Sequence, residues 1–280
     1  MTKVQNYTYH CHTVMSDGRN TAEEMIAQAA KLGFSEIGIT DHLYLNAKMD
    51  VERLRKAGFE HIYNSGFEEA RIKTEKYVAT IKAAAEKYSI NVLIGYEVDF
   101  FDLPGWNKNL QKLKDDFGLD YLISGNHFTV DKEVGSPIFV TSAENYTKDK
   151  NKRQELISNH LLNIVAAVES KLFDFIAHID FVRWGGICGE FDNRDEKMAI
   201  IEALAKNNIP TEINTKGYRS IGDFYPAKWL IEEMKIRKIP LIISDDAHSV
   251  GDIGYCFVEA EKMLEDMDYK YRFDLKSLIR

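Results

Sequence analysis

Cysteine, proline and long apolar runs are all scarce in this 280-residue chain. The three cysteines, Cys11, Cys188 and Cys256, are odd in number and far apart. That excludes a disulfide framework and fits a reducing compartment. Five prolines, with no repeat, low-complexity tract or Pro/Ser-rich linker, point to a single domain spanning 1–280. No stretch approaches the roughly 18 apolar residues that would span a bilayer. The opening MTKVQNYTYH lacks the basic and apolar segments of a signal peptide. The expectation is a cytoplasmic protein with no membrane partner. Basic residues are also in deficit, giving a formal net charge of -8. This argues against nucleic acid as a partner. A small anionic substrate stays open, because bound divalent cations reverse the local field.

What the chain does have is an alternation of short apolar runs with helical patterns. Candidate strands are 4–10, 36–41, 92–98, 120–125, 174–178, 210–214 and 240–245. Their near-continuous Ile/Leu/Val content suits parallel strands buried on both faces. Helical patterns fall at 21–32, 66–88, 106–117, 143–171, 193–207, 225–237 and 257–266. Thr21 followed by Glu24 forms a capping box, and Asn193 before Asp195 and Glu196 is a similar start signal. Seven β-then-α units predict an α/β fold, a distorted (β/α)7 TIM-like barrel. Two long connections, 43–65 and 128–142, are expected to shape a pocket at its rim.

Histidines and carboxylates crowd the ends of these strands. Strand one ends His10-Cys11-His12, with both imidazoles on one side and Cys11 on the other. Asp17 follows in a turn-like Met15-Ser16-Asp17-Gly18. Later strands end in Asp41-His42, Glu97-Val98-Asp99, Asn126-His127, His178-Ile179-Asp180 and Asp245-Asp246-Ala247-His248. A barrel brings all these ends to one mouth, whereas the edges of an open sheet cannot meet. Burying so many charges together is costly unless cations pair them. Mixed nitrogen and oxygen ligation suits zinc, iron or manganese and disfavours calcium and magnesium. Asp41, Asp99, Asp180 and Asp245 stand beside ligands and are candidates to orient imidazoles.

Taken in order, HxH, SDG, TDH, the Glu after GY, NHF, HID and the final Asp-Ala-His resemble the polymerase and histidinol phosphatase (PHP) family. The likeness runs from residue 10 to about 250. ITDH, NHF, HIDFVR and EINTKGYR are most similar to its histidinol-phosphate phosphatase branch. The resemblance implies a PHP-type barrel with two to three divalent ions. It implies His10, His12, Glu97 and Asp246 for one ion. Glu97, His127 and His178 would hold a second, with Glu97 bridging. Asp17, His42 and His248 would hold a third.

Such ions favour hydrolysis of a phosphate monoester by a metal-bridging hydroxide. Asp17 and His248 are the candidate proton donors, and Glu97 is the catalytic bridge. Arg183 in HIDFVR and Arg219 in NTKGYR resemble phosphate-binding arginines. Asn126 and Lys216 complete the candidate substrate contacts. Strand six, 210–214, supplies no ligand, so its rim is expected to be free for substrate. Trp184, Tyr218, Phe128 and Tyr225 are candidates to line a pocket for an imidazole ring. His61 and His160 occupy no strand end and read as ordinary polar residues. The implied reaction is conversion of L-histidinol phosphate to L-histidinol and phosphate in histidine biosynthesis. The alternative enzyme is a phosphoesterase for small nucleotides or another phosphorylated metabolite. A scaffold with structural metals is disfavoured, since such a chain is expected to lose ligand types.

Overall fold

Seven of the apolar runs do become parallel strands, although most are shorter than the sequence pattern suggests. The computed structural model describes residues 4–46, 66–133, 135, 137–184 and 190–275. His61, Cys188 and nearly all of loop 43–65 lie outside the described residues. The strands are β1 (Tyr7–Thr8), β2 (Glu36–Ile39), β3 (His42–Leu43), β4 (Asn91–Val98), β5 (Tyr121–Ser124), β6 (Phe128–Val130), β7 (Pro137–Phe139), β8 (Phe175–Ile176), β9 (Thr211–Asn214) and β10 (Leu241–Ser244). The main sheet runs β1-β2-β4-β5-β8-β9-β10. β3 continues the register of β2 along β4, with Ile39 opposite Ile94 and His42 opposite Glu97. All pairings within it are parallel. Its two edges meet at the mouth. His12 N–H donates to Ala247 O at 2.8 Å, and Ala247 N–H donates to His10 O at 3.1 Å. The sheet is thus nearly closed into a TIM-like barrel.

The barrel interior is filled from several strands at once. Tyr9, Leu93, Tyr121, Phe175 and Ile242 pack together, and Phe273 and Leu275 from the C-terminal segment join them. Gly38 on β2 has a packing reason: a Cβ there would overlap the Tyr121 side chain crossing the barrel. Cys11, just past β1, points away into the outer core and is fully buried, on the side opposite His10 and His12.

Nine helices surround the strands among the described residues: α1 (Ala22–Lys31), α2 (Phe67–Ala85), α3 (Trp106–Phe117), α4 (Ala143–Tyr146), α5 (Lys150–Ser170), α6 (Arg194–Asn207), α7 (Lys216–Ile221), α8 (Lys228–Ile236) and α9 (Phe257–Asp266). The Thr21/Glu24 capping box is present in both directions, a device worth about 1 kcal/mol. Asn193 stands at the start of α6, but its side chain does not cap the backbone; its amide donates to Glu196 Oε1 instead. The helix expected over 143–171 is interrupted after Tyr146. Asp149 starts a new helix there by accepting from the N–H groups of Asn151 and Lys152. Two further elements differ from the sequence reading. The connection 128–142 contains an antiparallel pair, β6 with β7. The short helix α7 follows β9, where only a rim segment was expected.

Candidate metal centre

The C-terminal strand ends deliver nine side chains to one place: His10, His12, Asp17, His42, Glu97, His127, His178, Asp246 and His248. Their donor atoms form four overlapping groups, within each of which all atoms lie within 4.8 Å of one another. Glu97 is central and fully buried. Its Oε2 lies 3.3 Å from His10 Nε2, 3.4 Å from His12 Nε2 and 2.9 Å from His42 Nδ1. Its Oε1 lies 3.0 Å from His178 Nε2 and 3.5 Å from His127 Nε2. One carboxylate thus faces two sets of imidazoles with different oxygens, as a bridge must.

Backbone geometry explains how Glu97 is accommodated. A Cβ on Gly125 would overlap Glu97 Oε1 and His127 Cε1. Two residues at the rim, Asn126 (φ 53°) and Asp246 (φ 46°), adopt the left-handed conformation. Such conformations cluster at functional sites, where the surroundings hold the strain.

The donors fit metal ions. His10 Nε2, both ring nitrogens of His12, His42 Nδ1, His178 Nδ1 and Glu97 Oε2 are buried without a hydrogen-bond partner. Buried polar atoms rarely remain so without a reason. Burial opposes charge on Glu97, yet His10, His127 and His42 hold its carboxyl well below the usual range. Burial, with His248 and His42 nearby, pushes His12 well below the usual imidazole value and leaves it neutral, the form that binds metal.

The groups overlap: His10, His12 and Glu97 lie together, as do Asp17, His42 and His248, while His12 also reaches the latter three and His178 also groups with His10 and Asp246. Of the four acids proposed to orient imidazoles, Asp99 alone touches one, with Oδ2 2.9 Å from His127 Nδ1. Asp41 instead holds the turn before Asp17, accepting from Thr13 N–H at 2.7 Å and Thr13 Oγ1 at 2.8 Å. Asp245 accepts from Thr8 and from Gly254 N–H, and Asp180 from Ala227 N–H and Arg183. The sequence reading missed Glu212 on β9, whose Oε2 lies 3.0 Å from His10 Nδ1. An acid inside a buried apolar strand was the available signal.

Two connected cavities open over the centre. One, of 340 Å³, is polar and mixed in charge, lined by Arg19, Lys216 and Arg219 together with Asp17, Asp245, Asp246 and Asp252. The other, of 220 Å³, is aromatic and lined by Tyr44, Phe139, Phe181, Trp184 and Tyr225. Asp17, Lys216, Ser220, Asp246 and His248 border both. Lys216 Nζ lies 3.1 Å from Asp246 Oδ1 and 3.2 Å from His248 Nδ1. Arg219 pairs with Asp252 and stacks 4.2 Å from the Tyr255 ring centroid.

Four sequence candidates are placed elsewhere. Arg183 lines neither cavity; its guanidinium is committed to Asp180, Asp223 and Phe224 O. Asn126 is buried, lines neither cavity and donates to Ser124 Oγ at 2.5 Å, while its Oδ1 has no hydrogen-bond partner. Tyr218 packs on Phe224, and Phe128 lies behind the aromatic wall against Tyr44 and Phe139. His160 is buried in α5, and burial pushes it down to about 4.

Comparison with known proteins adds the decisive observation, a match of residues 8–216 to the PHP domain model. The chain belongs to the PHP domain family. The matched span holds seven of the nine donors, all but Asp246 and His248. Over 269 residues it is 27% identical to a Deinococcus radiodurans protein named probable histidinol-phosphatase, covering 92% of each chain. It is 23% identical to the histidinol-phosphatase of Bacillus subtilis, covering 89% of this chain and 95% of that one. In structure it resembles histidinol phosphate phosphatase from Lactococcus lactis, solved with zinc, L-histidinol and phosphate. The TM-score is 0.65 at 19% identity, covering 96% of this chain and 95% of that one. That likeness establishes the fold. Among the described residues no helix is long and apolar enough to cross a membrane.

Proposed function

We propose that this PHP-domain protein is a metal-dependent phosphomonoesterase that hydrolyses L-histidinol phosphate to L-histidinol and phosphate. The observation that carries the reading is the junction, beside the clustered donors, of a charged polar cavity that holds Arg19, Lys216 and Arg219 and an aromatic cavity. A monoester of a flat, ring-bearing alcohol matches that division. The names of the curated relatives supply the particular alcohol.

Bound divalent ions supply Lewis acidity and activate water at neutral pH. The chain supplies orientation and charge. Lys216 and Arg219 face the phosphate, and the exposed Arg19 adds a third cation that the sequence reading did not single out. The aromatic walls hold the imidazole by stacking. Hydrolysis adds water across the P–O bond, and the departing alkoxide needs a proton. Burial disfavours charge on Asp17, but His42 and His248 hold its carboxyl well below the usual range. It is therefore the poorer donor. His248, with Nε2 3.2 Å from Asp17 Oδ2, borders both cavities and is the candidate donor when its ring is not ligating an ion.

The test is phosphate release by protein loaded with zinc, manganese or iron. Histidinol phosphate is expected to be turned over with far higher kcat/KM than nucleoside monophosphates or a phosphodiester. Preference for a nucleotide would favour the alternative noted above; no release from any ester would reject the enzyme reading.

A further inference from the structure

β9 contributes no donor to the nine, yet its side chains reach three of them. Glu212 and Asn214 are two apart, so both point into the barrel mouth while Ile213 packs in the outer core. Glu212 is fully buried. Its Oε2 lies 3.0 Å from His10 Nδ1 and also accepts from Ser244 Oγ. Its Oε1 accepts from His178 N–H at 3.0 Å and from Asn214 Nδ2 at 2.8 Å. The same Asn214 amide reaches Asp246 Oδ2 at 3.2 Å. His10, His178 and Asp246 are the members of one of the four donor groups. A single carboxylate, with the neighbouring amide, therefore ties together the three residues of one candidate ion site, two through their side chains and His178 through its backbone N–H.

We infer that Glu212 is a positioning residue that organises the ion site made by His10, His178 and Asp246, acting chiefly by fixing the ring of His10. The inference rests on the mouth being a metal centre; it does not depend on which phosphate ester is hydrolysed. The chemistry is that of a carboxylate behind a ligating histidine. With Nδ1–H donated to Glu212, His10 Nε2 carries its lone pair toward Glu97, and that nitrogen is buried without a hydrogen-bond partner. Asp99 stands in the same relation to His127. Glu212 differs in also holding the backbone of a second ligand.

The pattern also predicts why glutamine cannot substitute. Two of the four partners, His178 N–H and the Asn214 amide, are obligatory donors, and His10 must also be one if Nε2 is to ligate. Glutamine must turn its NH2 toward one pair. Facing His178 and Asn214, it meets N–H groups. Facing His10, it donates to Nδ1 and moves the ring hydrogen to Nε2, which blocks ligation.

The experiment titrates the full-length protein with Zn²⁺ against a chromophoric chelator, without substrate. Glu212→Gln is expected to weaken one ion by about tenfold to a hundredfold. Ions held by His12, Asp17, His42 and His248 should keep their affinity. In a His10→Ala background, Glu212→Gln should cause little further loss at that ion. Unchanged affinity in the folded variant, equal weakening of every ion, or full additivity with His10→Ala would each overturn the inference. If Glu212→Gln does not fold, ¹⁵N NMR of the zinc-loaded native protein decides. His10 should carry its hydrogen on Nδ1 and ligate through Nε2; the opposite tautomer would refute the role. Because no ester is present, failure of the histidinol phosphate reading leaves this result independent.

Discussion

Replacing Glu97 with Gln is the most demanding perturbation of the centre. The change keeps the volume and removes one charge from a fully buried position. Five imidazole nitrogens lie within 3.5 Å of its two oxygens. Breaking a buried ionic contact by removing one partner costs about 3–5 kcal/mol. At 1.36 kcal/mol per factor of ten, that is roughly a 10²- to 10⁴-fold loss of ion affinity. A glutamine also offers only one oxygen, so it cannot face both sets of imidazoles as an acceptor. The expected result is a chain that folds, retains less metal after dialysis against a chelator, and releases phosphate at least about 10³-fold more slowly, roughly 4 kcal/mol in barrier. Elemental analysis and phosphate release are measured on the same preparation. A full metal complement with kcat within tenfold of the parent would refute the bridging role.

Other perturbations separate the parts of the pocket. Arg219→Met should lower kcat/KM about tenfold to a hundredfold, the worth of a charge-assisted hydrogen bond, with metal content unchanged. Arg183→Met should instead lower stability to urea by roughly 1–3 kcal/mol, since it removes the contacts to Asp180, Asp223 and Phe224 O. An equal kinetic effect in both variants would return Arg183 to the phosphate site. Trp184→Ala should reduce kcat/KM for histidinol phosphate several-fold, through about 0.5–1.5 kcal/mol of ring contact. Turnover of a small aliphatic phosphate should fall less. His160 is neutral when folded, and its value of about 4 lies below the ordinary 6.5. As pH falls from 6.5 toward 4, the unfolded chain takes up a proton that the folded chain refuses, so stability declines by up to about 3 kcal/mol. His160→Asn should reduce that decline in urea melts, and an identical pH profile would contradict the assignment.

The barrel and its donors were legible because two sequence signals coincide at each strand end. A buried parallel strand shows as an apolar run, and the residue ending the run is the one the mouth receives. His42, Glu97, His127, His178 and Asp246 were found in this way. The aromatic wall was only half visible. Trp184 and Tyr225 were singled out, while Tyr44, Phe139 and Phe181 were not, because they converge from separate loops and strands. The β6–β7 pair was hidden for a related reason. Phe128–Val130 and Pro137–Phe139 are three residues each, too short for alternation to register.

Where side-chain parity holds, position along a strand predicts direction, and where it breaks, prediction fails. His10 and His12 stand two apart just past the first strand and do converge. Asn126 is a candidate substrate contact in the sequence. Its left-handed φ of 53° ends the alternation and directs the amide back to Ser124. Asp246, at φ 46°, makes the same turn but projects its carboxylate among the donors. The sequence shows an Asn and an Asp at equivalent strand ends and cannot separate these outcomes. Glu212 is the converse. Parity is intact along β9, but it points the acid behind a ligand and not at an ion. A strand without a ligand at its tip was read as free rim, whereas its interior holds the carboxylate that accepts from His178 and faces His10. Strand tips identify what binds the ions; the buried acids one layer deeper identify what fixes the geometry.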